Sequence, residues 1–216
     1  MLSSLQTDDI ATAPDFDAKR AFDIVFALLA LLFFAPLLLG IAALLKLREG
    51  GNVLFAQERV GRGGRRFRCL KFRTMVPDAQ ERLAEILETD PLARAEWEAS
   101  RKLTNDPRIS CLGHFLRRTS LDELPQFINV LKGDMSVVGP RPIVAEEMIL
   151  YREHIVDYLA VRPGVTGLWQ VSGRSDTTFD ERVALDSRYV RSMGLLDDVR
   201  IVARTVGVLL NQKGAR

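Results

Sequence analysis

The stretch Ile24-Val25-Phe26-Ala27-Leu28-Leu29-Ala30-Leu31-Leu32-Phe33-Phe34-Ala35-Pro36-Leu37-Leu38-Leu39-Gly40-Ile41-Ala42-Ala43-Leu44-Leu45 runs for 22 residues without a charge. As a helix, at about 1.5 Å per residue, it reaches about 33 Å, enough to cross the hydrocarbon of a bilayer. It is too long for the apolar core of a signal peptide, and the chain before it is acidic until Lys19 and Arg20. It therefore reads as a retained anchor rather than a cleaved leader. Lys19 and Arg20 precede it, while Lys46, Arg48, Arg59, Arg62, Arg65, Arg66 and Arg68 follow it. Bases flanking a membrane segment collect on the cytoplasmic side, so both ends read as cytoplasmic. Pro36, near the middle, removes one helix hydrogen bond and disfavours helical geometry at Ala35. The expected form is a re-entrant membrane helix over residues 19–48, broken at Pro36, with two halves that dip in and return. A straight span with a mild kink is the alternative. Nothing amphipathic marks the segment as the core helix of a soluble protein, so the chain is expected to be membrane-bound.

Around this anchor, 216 residues at 47% hydrophobic and 27% charged exclude disorder and allow one medium domain. Residues 1–18 form an acidic tail, and residues 49–216 remain for the globular part. The formal charge of +2 says little about partners, but its distribution does. Residues 46–73 carry nine bases and two acids, and residues 77–100 carry seven acids and two bases. Cys69 and Cys111 have no disulfide-framework density and no metal-binding spacing, which points to a reducing compartment and no structural zinc.

Residues 53–59 and 67–73 flank the Gly61-Arg62-Gly63-Gly64 turn and read as a small hairpin with a cationic tip. The turn lacks the spacing and lysine of a nucleotide loop, and its bases suit anionic headgroups beside an anchor. Residues 78–100 read as one amphipathic helix with a solvated acidic face. Residues 105–109 form a turn. Ser120 with Glu123 reads as a capping box that opens a helix from Leu121 toward Leu131. A further helix is expected over 143–161, a loop over 165–175, and a third helix from the Thr178/Glu181 box through Met193. Leu195, Val199, Val202, Val206 and Leu209 trace one face of a last helix, suited to a core or to the membrane interface. The fold class is α+β, mainly helical.

The chemistry concentrates in Arg117-Arg118-Thr119-Ser120-Leu121-Asp122-Glu123-Leu124-Pro125. A helix start and two guanidinium groups both favour ionised acids, so Asp122 and Glu123 should stay charged at neutral pH. Such a pair can act as nucleophile and cation ligand for covalent capture of a phosphoryl group, or it can simply cap a helix. In Gly139-Pro140-Arg141-Pro142 two prolines pin the backbone around one guanidinium suited to phosphate. Lys71, Arg73, Arg117, Arg118 and Arg141 together could line a diphosphate pocket, with a lone salt bridge as the plain alternative for each. His114 and His154 read as structural or surface groups.

These residues resemble the bacterial sugar transferases, monotopic polyprenyl-phosphate phosphoglycosyl transferases. The resemblance runs from Lys19 to about Leu210. It rests on Lys19-Arg20-Ala21-Phe22-Asp23, Lys71-Phe72-Arg73-Thr74-Met75, residues 117–126, residues 133–142 and Arg162-Pro163-Gly164-Val165-Thr166-Gly167. Residues 151–191, with Trp169-Gln170-Val171-Ser172-Gly173-Arg174, look closest to small members that start exopolysaccharide repeat units with a hexose phosphate, particularly galactose-1-phosphate. The resemblance implies that Asp122 attacks the β-phosphate of a UDP-sugar, releasing UMP, and that undecaprenyl phosphate then attacks the aspartyl intermediate. It implies Glu123 as the Mg2+ ligand, Arg141 on phosphate, Lys71 and Arg117 lining the site, and Asp198 supporting it. Arg162, Gln170 and Arg174 are carried as nucleotide or sugar contacts. It further implies a minimal catalytic unit at the inner membrane, facing the cytoplasm, without the extra N-terminal membrane domain of larger relatives and able to pair as a homodimer.

Two other functions are weighed beside it. A non-catalytic membrane module would dock a partner through Arg62, Arg65 and Arg66. Nucleic-acid binding through the same block is disfavoured because aromatic stacking partners are sparse there.

Overall fold

The computed structural model describes residues 18–100, 103–173 and 177–211. Residues 1–17 of the acidic tail, and Arg174, lie outside the described residues. The first element, α1 (Ala18–Glu49), is a helix of 32 residues with Pro36 inside it rather than between two helices. A two-stranded antiparallel hairpin follows, β1 (Leu54–Val60) and β2 (Arg66–Phe72), in register Leu54↔Phe72 to Val60↔Arg66. It lies one residue from the expected bounds, and its turn places Gly63 and Gly64 at φ 64° and 77°.

The single helix expected over 78–100 is two, α2 (Ala79–Thr89) and α3 (Pro91–Ser100). Pro91 forces Asp90 into extended geometry, φ −117° and ψ 104°, and Asp90 Oδ1 then accepts from the Leu92 and Ala93 N–H groups. Next comes α4 (Cys111–Thr119), which sequence patterning did not foresee, capped by Ser110 accepting from Gly113 N–H at 2.9 Å.

The expected capping box at Ser120 does not form. Ser120 sits at φ 56° and closes α4 instead, its N–H bonded back to the Arg117 and Leu116 carbonyls. Leu121–Glu123 make one 3-10 turn, and α5 (Gln126–Lys132) starts only after Pro125. Because the Glu123 carboxylate is drawn to Lys71, it is not free to reach back to Ser120.

The helix expected over 143–161 is likewise a 3-10 stretch, Ala145–His154, followed by α6 (Ile155–Ala160). Arg152 breaks it at φ 49°, ψ −130°, in the segment that turns Tyr151 into the core. The stretch read as a loop holds β4 (Gly164–Thr166) and α7 (Leu168–Ser172). β4 pairs in parallel with β3 (Ser136–Val138), whose three residues were too few to show a period. Then α8 (Phe179–Ser192) opens on the expected Thr178/Glu181 box, and α9 (Leu195–Asn211) ends the described chain.

Three apolar clusters hold these pieces together. Ala27, Phe67, Val130, Met135, Val137 and Ile201 join α1, β2, α5, β3 and α9. Val60, Ile143, Tyr151, Tyr158 and Val183 gather the end of the hairpin, the 3-10 stretch, α6 and α8. Ile41, Leu45, Phe72 and Leu116 join the far end of α1 to β2 and α4. The approach of β3 to β4 tolerates only glycine: a Cβ on Gly164 would lie 2.1 Å from Gly139 N, and one on Gly167 2.2 Å from Gly139 O.

Both ends of α1 are fastened to this body by polar groups. Near its start, Arg20 donates to the Val130 and Leu131 carbonyls at the end of α5, at 2.8 and 3.2 Å. Asp23, 2% exposed, accepts from Ser136 Oγ and Val137 N–H, both at 2.9 Å. Beyond its last turn, Arg73 donates to Gly50 O at 2.6 Å and lies 3.6 Å from Glu49. Between those ends Ala27, Ala30, Ile41 and Leu45 are buried against the body, and much of the remaining surface of the helix is bare. Leu29, Leu32, Phe33 and Leu39 are 60–77% exposed, and only 11% of the most apolar window is buried in the protein. An apolar belt of this extent calls for hydrocarbon rather than water.

Candidate active site

The Ser120 kink places Asp122 and Glu123 on a tight turn between α4 and α5, beneath β2. Asp122 is 8% exposed. Glu123 Oε1 lies 2.5 Å from Lys71 Nζ, which β2 presents from its end next to Phe72. Arg117, from the last turn of α4, is steadied by its Nε donating to Thr74 Oγ1 at 2.8 Å. Arg141 enters on the segment after β3, with its guanidinium 5.4 Å from the Trp169 ring centroid.

The two acids differ electrostatically. Burial first, then the Glu123 charge, push the Asp122 carboxyl up to about 6, against the pull of Lys71 and Arg117. Burial is the largest influence on Glu123 and works against its ionisation, but the charge and hydrogen bond of Lys71, with the Arg141 and Arg59 guanidiniums, together outweigh it and hold that carboxyl below the usual range. At pH 7 both are therefore mainly ionised, as the sequence implied, although Asp122 by only about tenfold. Among the described residues no cluster of three or more His, Cys, Asp or Glu could hold a metal. A divalent ion at these two acids would thus need most of its oxygens from phosphate and water, which fits Mg2+ and not a dedicated protein cage.

Seven of the residues singled out in the sequence come together. Lys71, Arg73, Arg117, Asp122, Glu123, Arg141 and Gln170 line one cavity of about 940 Å3. Arg118, Arg162 and Asp198 do not line it. Arg162 donates from Nε to Gly133 O at 2.9 Å, closing the end of α5. Asp198 is 1% exposed and held by Tyr189 Oη and Lys19 Nζ, both at 2.7 Å. That pairing ties α9 to the start of α1, at a remove from the acids.

Other residues were missed. Thr74 and Trp169 stood inside quoted motifs but drew no role, although each contacts a site arginine. Asn129 and Asp186 gave no sequence signal. Asn129, 1% exposed, accepts from Leu70 N–H at 2.9 Å and donates to Arg68 O at 2.8 Å, docking the strand of Lys71 on the helix after the acids. Asp186, 2% exposed, accepts from Tyr151 Oη at 2.8 Å and lies within reach of the Arg141 charge. Burial pushes its carboxyl up to about 7. Part of the basic block is structural too: Arg59 donates to Pro142 O at 3.0 Å, and Arg66 pairs with Glu58 at 2.8 Å.

A family profile described as bacterial sugar transferase matches residues 15–212. The exopolysaccharide production protein ExoY of Rhizobium meliloti is 49% identical over 198 residues, covering 92% of this chain and 88% of its own length. The undecaprenyl-phosphate galactose phosphotransferase of Salmonella typhimurium is 51% identical over 197 residues, 91% of this chain and 41% of its own. The UDP-galactose-lipid carrier transferase of Erwinia amylovora is 50% identical over 197 residues, 91% of this chain and 41% of its own. The chain thus spans about two fifths of the length of the latter two relatives. Since the match takes in the apolar helix, the acid pair, the arginine turn and the last helix together, the chain belongs to the bacterial sugar transferase family.

Proposed function

We propose that this protein transfers a sugar-1-phosphate, with galactose-1-phosphate favoured, from a UDP-sugar to undecaprenyl phosphate, as the first step of building an exopolysaccharide or related repeat unit. One observation carries the reading: a buried, ionisable aspartate beside a second carboxylate, in a cavity lined by Lys71, Arg117 and Arg141 and walled elsewhere by the apolar helix α1. The names of the relatives supply the substrate classes.

In this reading an Asp122 oxygen attacks the β-phosphorus of the donor, the bond to the bridging oxygen breaks, and UMP leaves with that oxygen. Two anionic substrates then visit one pocket in turn, so the site never has to hold both against their repulsion. Asp122 is suited to attack because burial leaves its carboxylate poorly solvated while still ionised at pH 7. Lys71, Arg117 and Arg141 offset the phosphate charge. Glu123 would hold Mg2+, whose bound form would neutralise phosphate oxygens, and Lys71 would then be released toward the substrate.

The protein would work at the cytoplasmic face of the inner membrane, with α1 re-entrant. The basic flanks support this, as does the attachment of both ends of α1 to one globular body, since a straight span would carry its ends to opposite faces.

The test is to incubate purified protein with UDP-galactose and Mg2+ in detergent without acceptor, then to record the intact mass and map the adduct. A hexose-phosphate gain on Asp122 is expected. No adduct and no UMP release with any UDP-sugar, from protein shown to be folded, would refute the proposal.

A further inference from the structure

The cavity does not end at the charged cluster. Its lining continues over Phe26, Ala30 and Phe34 of α1, Phe127 of α5, and Val202 and Val206 of α9. Helices α1 and α9 both rest on β3, and the cavity opens between them. The slot has an aromatic wall, with the Phe26 ring tilted against Phe127 at a centroid distance of 6.0 Å and against Phe22 at 5.8 Å. Ala30 is buried to 9% exposure and contributes only a methyl group, so a small residue at this position leaves the slot open. The Thr205 hydroxyl at its edge is engaged by Thr166 Oγ1 and Ile201 O, leaving the wall chemically apolar there. Outward, Val206 is 54% exposed, and the neighbouring face of α1 carries Leu29 and Phe33 at 60% and 77%. One apolar surface therefore runs from beside Asp122 to the belt that requires hydrocarbon.

We infer that this slot between α1 and α9 seats the first isoprene units of the acceptor, with its phosphate directed to Lys71, Arg117 and Arg141. The inference rests on the transferase reading above. A UDP-sugar could offer an aromatic wall only the face of its uracil and has nothing to fill a slot that continues to the membrane belt, whereas a prenyl phosphate changes from apolar to anionic where the lining does. Little hydrophobic driving force attends the move, because a prenyl chain in a bilayer is already out of water. What the slot supplies is packing that fixes the depth and direction of the phosphate, and so the approach of its oxygen to phosphorus. In that step the acceptor's phosphate oxygen bonds to the phosphorus of the aspartyl phosphosugar and the bond to Asp122 breaks. The carboxylate returns ionised, with no proton or further reactant needed.

Two substitutions fill the slot from opposite sides, Ala30→Phe and Val206→Trp. Each is assayed for acceptor-free UMP release and Asp122 adduct from UDP-galactose, and for steady-state turnover against undecaprenyl phosphate in detergent. The expected result is an acceptor KM raised at least tenfold more than any change in the acceptor-free step. A wild-type acceptor KM in both variants would overturn the slot, and so would an equal loss in both half-reactions. Absence of adduct and UMP in the wild-type protein would instead refute the transferase reading itself.

Discussion

Replacing Asp122 by Asn should abolish transfer and make the protein more stable. Folding raises the Asp122 carboxyl from 3.8 to about 6, so the charged form is disfavoured in the native state. Below pH 3.8 the group is protonated in both states and has no effect. Between these values the native state binds more protons than the unfolded chain, and stability falls as pH rises. Above 6 the full cost is present. Two units correspond to about 3 kcal/mol at pH 7.5, falling to about 1.5 kcal/mol at pH 5. Asn has nearly the same shape and no charge to desolvate, so Asp122→Asn should regain this energy. At about 2–4 °C per kcal/mol for a domain of this size, Tm should rise by about 6–12 °C at pH 7.5 and by about half as much at pH 5. Thermal unfolding in one detergent, without divalent ions, reads both values. A variant less stable than wild type at pH 7.5, or one whose gain does not shrink at pH 5, would refute the reasoning. In that case Asp122 would be a structural anion rather than a reactive group held ready at a cost to the fold.

Two further outcomes follow from the supports of the site. Asn129→Ala strands the Leu70 N–H and Arg68 carbonyl and should cost about 2–4 kcal/mol, read as a drop in Tm, with adduct formation slowed because Lys71 loses its anchorage. Gly164→Ala drives a Cβ to within 2.1 Å of Gly139 N and 2.4 Å of Thr166 O, neither of which can step aside, so folded protein should not be recovered on extraction. Its control, Gly40→Ala on α1, meets nothing within 4 Å and should extract and unfold like the wild type.

The division of roles within the molecule follows from how α1 is tied down. Charged residues at its start hold β3, which leads into the arginine turn, and its far end packs on the strand of Lys71 and the helix of Arg117. The membrane helix thus braces both walls of the cavity. Asp198, read from sequence as a support of the site, serves this bracing through Lys19 and Tyr189.

Much of this was legible in the chain alone, for local reasons. A run of 22 uncharged residues has one physical environment, a Gly-rich turn between alternating strands makes a hairpin, and Thr178 with Glu181 caps the helix that follows. The acid pair and the arginine between prolines could be named because few residue types suit phosphate chemistry. Other features depend on partners distant in sequence. Ser120 ends a helix rather than opening one because Lys71, 52 residues before Glu123, takes the carboxylate that a capping box needs. Strands β3 and β4, three residues each, are strands only because they meet. Asn129 and Asp186 carry no motif, and their roles come from burial against one strand edge and one tyrosine hydroxyl. The same holds for the pKa of Asp122: sequence placed it beside charges that favour ionisation, while its burial, which tertiary packing alone sets, pushed the value the other way.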